Sequence, residues 1–228
     1  MQLFKSIETR KNFLKLILKI MVGLVIIQIL RAAIMGTLWF VVPHPVNDLT
    51  IFQLFNGLSF ILVGLILIFY FKPSLKELGL NLNDLERKTR IIYLLGVLFL
   101  VFMAVTPYFL GWEISILIIG MISGLVIPAF EELLFRGYIW NQIQESKDMV
   151  NSGVLTWITV TLLFSIWHLG YIDVFLIHPM GPGNIPMLLI SKMGIGLILG
   201  LIVGFLRLKT GKVYASFIFH GFWNVFAP

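Results

Sequence analysis

The sequence predicts an all-α protein: a polytopic bundle of about seven transmembrane helices around a polar cavity within the membrane. Three observations predict it. The 228 residues are 59% hydrophobic and only 12% charged, whereas a soluble domain carries about 25% charged residues and roughly 45–50% apolar ones. That excess of apolar surface is more than one core can hold, so lipid must solvate much of it. The apolar residues also fall into runs close to the roughly 20-residue length that crosses a bilayer. Finally, the basic residues alternate between successive connections, as a membrane topology requires.

Seven segments are candidate spans, at about 16–42, 51–71, 91–110, 114–140, 153–171, 187–207 and 213–227. The first follows Lys5, Arg10, Lys11, Lys15 and Lys19 and has no small-residue cleavage site clear of its apolar run. It is therefore expected to be a retained span and not a cleaved signal. Between the second and third lies "KPSLKELGLNLNDLERKTR", 72–90, a partly amphipathic surface linker. "HPMGPGNIP", 178–186, is a loop by its Pro and Gly content. No soluble domain interrupts the series, so 1–228 is expected to be a single membrane domain.

The N-terminus, 72–90, 136–152 and 207–212 hold nearly all the Lys and Arg, and the alternate connections near 43–50, 107–113 and 172–186 hold none. The positive-inside rule then places the N-terminus in the cytoplasm and the C-terminus opposite, in what is expected to be a bacterial cell membrane. Topology thus accounts for the net charge of +6. A nucleic-acid partner is not expected, because it would need a basic face on a folded surface. The absence of cysteine excludes disulfides and thiolate metal sites. Two basic residues break the alternation. Lys192 is read as snorkelling to the interface. Arg31 lies deep in the long first segment, which is either one helix or two, and its reading stays open between snorkelling and a partner or wet cavity.

Three spans carry side chains that a lipid-facing helix would not choose. "PAFEELLFRGYIW" holds Glu131, Glu132 and Arg136, "FSIWHLG" holds His168, and "FIFHGFWNV" holds His220 and Asn224. Each costs several kcal/mol if unpaired in hydrocarbon, roughly as estimated for buried polar groups, so one shared cavity is the least costly arrangement. His220 and Asn224 stand at i and i+4 and share a helix face. Glu132 and Arg136 have the same spacing and suit an ion pair. Glu131 points about 100° away from Glu132, free to face the cavity as a desolvated general base. His44 and His178, in proline-flanked loops, are expected to be solvated, and Asp173 interfacial.

This set suits water activation: a carboxylate takes a proton from water, a histidine holds that water or protonates a leaving amine, and a histidine and an amide stabilise an oxyanion. No serine stands in a nucleophile-elbow context. No metal is expected. Zinc is the alternative, with Glu131, His168 and His220 as its ligands, although no H-E-x-x-H occurs. The depths conflict. His220 lies about 12 Å along its helix from Lys212, and His168 lies farther from that side, so tilt, staggered ends or a helix break must bring them together.

At these residues the chain resembles the CAAX prenyl protease and bacteriocin-processing (CPBP, or Abi) family of intramembrane proteases. The family pattern E-E-x-x-x-R, F-x-x-x-H and H-x-x-x-N stands as "EELLFR", "FSIWH" with Phe164 and His168, and "HGFWN". The resemblance covers about 115–227, which would be the catalytic core, with 1–110 as N-terminal transmembrane helices. It implies that Glu131 activates water with His168 assisting. It also implies that His220 and Asn224 form the oxyanion site, and that Glu132, Arg136 and Phe164 support it. The implied activity is intramembrane endopeptidase cleavage, as in type II CAAX prenyl endopeptidases, of a membrane-associated protein or peptide, lipidated or not. A non-catalytic immunity or scaffold protein using the same cavity is the competing reading. A small proton-coupled transporter is a third.

Overall fold

The structure is a computed structural model that describes residues 6–45, 48–145, 152–179, 181 and 183–226, Ser152 in its backbone alone. Lys5 and Lys147, two of the basic residues used for the topology, lie outside the described residues, as do Met180 and Pro182 of the 178–186 loop and Ala227 at the end of the seventh segment. The described residues form helices and connections, without a strand.

The first helix, α1, runs unbroken over Ile7–Val41. Ser6 caps it by accepting a hydrogen bond from the Thr9 N–H at 3.1 Å. Its 35 residues span about 52 Å, longer than the roughly 30 Å hydrocarbon layer. The turns bearing Arg10, Lys11 and Lys15 supply the excess. Helix α2, Leu49–Phe71, starts at Asp48, whose carboxylate accepts from Thr50 and Ile51 N–H. Helix α3 is Arg87–Phe109 and α4 is Ile114–Gln144. Helix α5 is Gly153–Leu176, and α6, Ile185–Thr210, stops at Gly211 in the left-handed region, φ 68°. Helix α7 is Tyr214–Phe226.

Helices α1 to α6 are each long and apolar enough to cross a membrane, so the chain is an integral membrane protein. The 13 residues of α7 reach about 20 Å, short of a full span. About seven spans is consistent with this set. Two helices are irregular where the polar residues lie. Helix α4 contains π turns at Ile122–Val126 and Leu133–Ile139, and α5 tightens to a 3-10 turn at His168–Tyr171.

Helices α5 and α6 form the closest pair. Gly196, Gly200 and Gly204 recur every fourth residue on α6, and a Cβ at each would meet His168, Thr161 or Trp157 of α5 at 2.7, 3.2 and 2.5 Å. This small-xxx-small stripe lets the backbones approach. Thr161, Trp157 and Ser165 then donate across the gap to the Gly200, Leu201 and Met193 carbonyls at 3.0, 3.0 and 2.9 Å. The main core joins Phe135, Trp140 and Ile143 of α4 to Val160, Phe164 and Trp167 of α5 and Val203 of α6.

The linker 72–86 folds over one end of α4. Asn141 donates to the Lys76 and Glu77 carbonyls at 3.1 and 2.6 Å, and Tyr214 donates to the Leu80 carbonyl at 2.9 Å. The Ser74 N–H and hydroxyl both donate to Glu77, 2.7 Å each, and hold its carboxyl below the usual range.

Three charged or titratable residues, Arg136, His44 and His178, stand differently from the sequence expectation, and Arg31 finds a partner. Arg136 counts as a loop charge in the alternation, but α4 continues past it and buries it completely. Arg31 is fully buried and paired with Asp173, whose side chain keeps 18% of its surface exposed. His44 and His178 are half-buried, packed on Trp39 and Phe52 with ring centroids 4.2 and 5.0 Å apart.

Candidate active site

Helix α4 presents Glu131 and Glu132 between its two π turns. A π turn inserts one residue into the helix and so rotates the residues beyond it, a device common at functional positions. It also disturbs the carbonyl ladder. The Arg207 side chain of α6 answers this by donating from Nε to the Arg136 carbonyl at 2.7 Å.

Glu131, Glu132, Arg136 and His220 are all essentially excluded from solvent. Arg136 lies 3.2 Å from Glu132 Oε1, the i,i+4 pair that the spacing predicts. Its guanidinium also sits over the Phe164 ring, 4.1 Å from the centroid. Glu132 does more than hold the arginine, because its Oε1 is 2.9 Å from Nδ1 of His220 on α7. A carboxylate only accepts, so Nδ1 carries the hydrogen and Nε2 is turned outward. That Nε2 lies 3.6 Å from Glu131 Oε2.

The other oxygen of Glu131 is held from α5. Trp167 Nε1 donates to Oε1 at 2.9 Å and the Tyr171 hydroxyl donates to the same atom at 2.6 Å. The sequence reading missed both residues. The signal was present in "WHLGY", where a Trp and a Tyr four residues apart flank His168, since a buried indole N–H or phenol needs a partner.

His168 opens the 3-10 turn. Its Nδ1 lies 2.8 Å from the Phe164 carbonyl, so Nδ1 is the donor and Nε2 of the neutral ring is an acceptor. The ring packs against Phe164 and Tyr171, centroids 4.8 and 5.5 Å away. Phe164 also meets His220 edge-on at 5.8 Å. One phenylalanine thus brings the two histidine rings and the arginine together despite their different depths in sequence. Asn224 shares the α7 face of His220. Its Nδ2 donates to the Ser123 carbonyl in the first π turn at 3.1 Å, which leaves one of its two amide hydrogens uncommitted.

Glu131, His168 and His220 are the residues that would hold zinc. Among the described residues no group of three His, Asp or Glu side chains is placed to hold a metal ion. Both Nδ1 atoms are engaged and Glu131 Oε1 is taken by two donors, so a metal ligand from this set would be Nε2 of either histidine or Oε2 of Glu131.

Beside this cluster lies an apolar cavity of about 680 Å³ between α1, α2 and α4, with Leu24, Phe60, Gly64, Phe130 and Leu134 among its walls. Phe130 precedes Glu131 in the chain and packs on Trp167, centroids 6.3 Å apart.

A model of the family described as "Type II CAAX prenyl endopeptidase Rce1-like" matches residues 112–226. No curated protein and no solved structure matches the chain. The matched range contains Glu131, Glu132, Arg136, Phe164, His168, His220 and Asn224.

Proposed function

This chain belongs to the Rce1-like family of type II CAAX prenyl endopeptidases, and on that premise we propose that it hydrolyses a peptide bond of a membrane-associated protein with water activated by Glu131. The observation that carries the reading is the pairing of Glu131 Oε2 with Nε2 of His220 at 3.6 Å, while Oε1 is immobilised by Trp167 and Tyr171. Two acceptors facing each other at that distance are best satisfied by a water that donates one hydrogen to each.

In this reading the water oxygen attacks the scissile carbonyl carbon as its proton passes to Glu131 Oε2. The proton is shared with Nε2 of His220, whose charge Glu132 balances from Nδ1. The Nε2–H and the free amide hydrogen of Asn224 then donate to the oxyanion. Collapse of the tetrahedral intermediate breaks the C–N bond, and the proton reaches the leaving amine through His168 Nε2. Each group acts with no metal in the cycle. Arg136 and Phe164 hold Glu132 and the two rings in place.

The substrate class we propose is a protein whose lipid chain occupies the apolar cavity next to Phe130. A cavity so apolar suits a hydrocarbon tail, and the tail would hold the peptide beside Glu131. We place the N-terminus on the cytoplasmic side, from the alternation of basic residues.

The test compares the N- and C-termini of membrane proteins in cells carrying the parent protein or Glu131→Gln at equal abundance. Termini that form with the parent protein alone support the protease and name its substrate. Cleavage retained by a clean Glu131→Gln preparation would sink the reading. Identical termini with an intact phenotype would favour a binding scaffold.

A further inference from the structure

We propose that Arg31 of α1 is a positioning residue for the site. It clamps the 3-10 turn His168–Tyr171, so that Trp167 and Tyr171 keep their donors on Glu131. The kinetic part of this inference rests on the endopeptidase reading; the structural part does not.

The geometry points to it through six contacts. The Arg31 guanidinium is fully buried and donates from one terminal nitrogen to the Gly170 carbonyl at 3.1 Å and to the Asp173 carboxylate. Its Nε donates to Gln28 Oε1 at 2.8 Å, and Gln28 Nε2 in turn donates to the Trp167 carbonyl at 3.0 Å. The guanidinium carbon also lies 5.1 Å from the Tyr171 ring centroid and 5.4 Å from that of Phe60. Arg31 and Gln28 therefore touch the turn at Trp167, Gly170, Tyr171 and Asp173, on both sides of His168.

A tightened turn leaves carbonyls without regular helical partners. In hydrocarbon those carbonyls cannot turn to water, and Arg31 and Gln28 supply the donors. A planar fork held by a carboxylate and a carbonyl fixes the orientation of the turn, and the turn carries the hydroxyl that reaches Glu131. Gly170 fits the same account, since a Cβ there would collide with the Gln28 side chain. The cluster also accounts for the placement of an arginine at mid-span, which otherwise costs free energy with no return. Arg31 lies outside residues 112–226, so α1 contributes to a site whose other members come from α4, α5 and α7.

The test uses the double variant Arg31→Met/Asp173→Leu, which removes both charges and leaves no unpaired ion behind. It is measured in two ways on the purified full chain in detergent or nanodiscs. The first is the mobility of a nitroxide label on Leu169→Cys, a turn residue that is 42% exposed in a chain with no other cysteine. The label is expected to become mobile in the double variant at an unchanged thermal midpoint. The second is cleavage of an internally quenched, C-terminally farnesylated peptide, without the label substitution. There kcat is expected to fall at least tenfold with KM within about twofold, as lost positioning predicts.

An immobile label, or an unchanged kcat, overturns the proposal. If the parent protein does not cleave the peptide, the endopeptidase reading is at fault and the label decides on Arg31 alone. If the double variant fails to fold, Arg31→Lys replaces it. That variant keeps a charge toward Asp173 and loses the fork to Gln28 and Gly170. It is expected to show the same kcat loss in a weaker form, and full activity overturns the proposal.

Discussion

Nδ1 of His220 lies 2.9 Å from Oε1 of Glu132, the same oxygen that Arg136 approaches at 3.2 Å. One buried carboxylate therefore ties α7 to α4 and sets the tautomer of the histidine that faces Glu131. The two adjacent glutamates have separate duties, and the second is more than a counter-ion.

Glu131→Gln and Glu132→Gln should consequently differ. Glu131→Gln keeps its neighbours and is expected to fold normally while losing cleavage. Glu132→Gln leaves Arg136 buried without its charge partner, and breaking such a pair costs about 3–5 kcal/mol. It is expected to lower the thermal midpoint as well as the activity. Unfolding curves and kcat on the two variants separate the roles, and equal midpoints would refute the division.

Tyr171→Phe removes one of two donors from Glu131 Oε1 and fills the same space. The carboxylate becomes freer to rotate, which turns Oε2 away from His220. A hydrogen bond to a charged group contributes about 1.5–3 kcal/mol, and a misplaced base loses rate steeply. The lost orientation is expected to lower kcat about tenfold with stability little changed. An unchanged or higher kcat would show that Tyr171 does not position Glu131.

Gly196→Ala probes His168 from the opposite helix. The added Cβ would stand 2.7 Å from His168 Nδ1, so the ring must leave its hydrogen bond to the Phe164 carbonyl. Alanine favours the helix by about 1 kcal/mol over glycine, so stability is a poor explanation for any loss. The expected result is a tenfold or greater fall in kcat with an unchanged or raised midpoint. Full activity would mean that His168 works in another orientation.

The cysteine-free chain makes the topology directly measurable. A membrane-impermeant maleimide applied to intact cells is expected to label Trp112→Cys, in the α3–α4 connection, and to spare Lys76→Cys in the linker. Lysis should expose the second. The opposite pattern would invert the orientation and place the basic connections outside.

Much of this protein was legible in its sequence. The apolar runs set the helices because a backbone in lipid must satisfy its own hydrogen bonds. The i,i+4 spacing set the Glu132–Arg136 pair and the shared face of His220 and Asn224, because helical geometry is local. Spacing did not reveal the relations that depend on which helices meet. Trp167 and Tyr171 became partners of Glu131, 36 and 40 residues away in the chain. Arg136 changed from a loop charge to a buried one once α4 ran on to Gln144. The two π turns and the 3-10 turn were also invisible, since no local signal marks them.

The sequence by itself thus determined the solvent, the spans and which polar side chains lie within them, through composition and through periodicity within one helix. The tertiary structure alone decided that Arg31 pairs with Asp173, 142 residues away, that Glu132 orients His220, and that Glu131 keeps one oxygen on Trp167 and Tyr171 and turns the other toward His220. Those relations depend on the rotation and depth of whole helices against one another. That is set by packing across the bundle, and in lipid a buried polar group settles only where another helix supplies its partner.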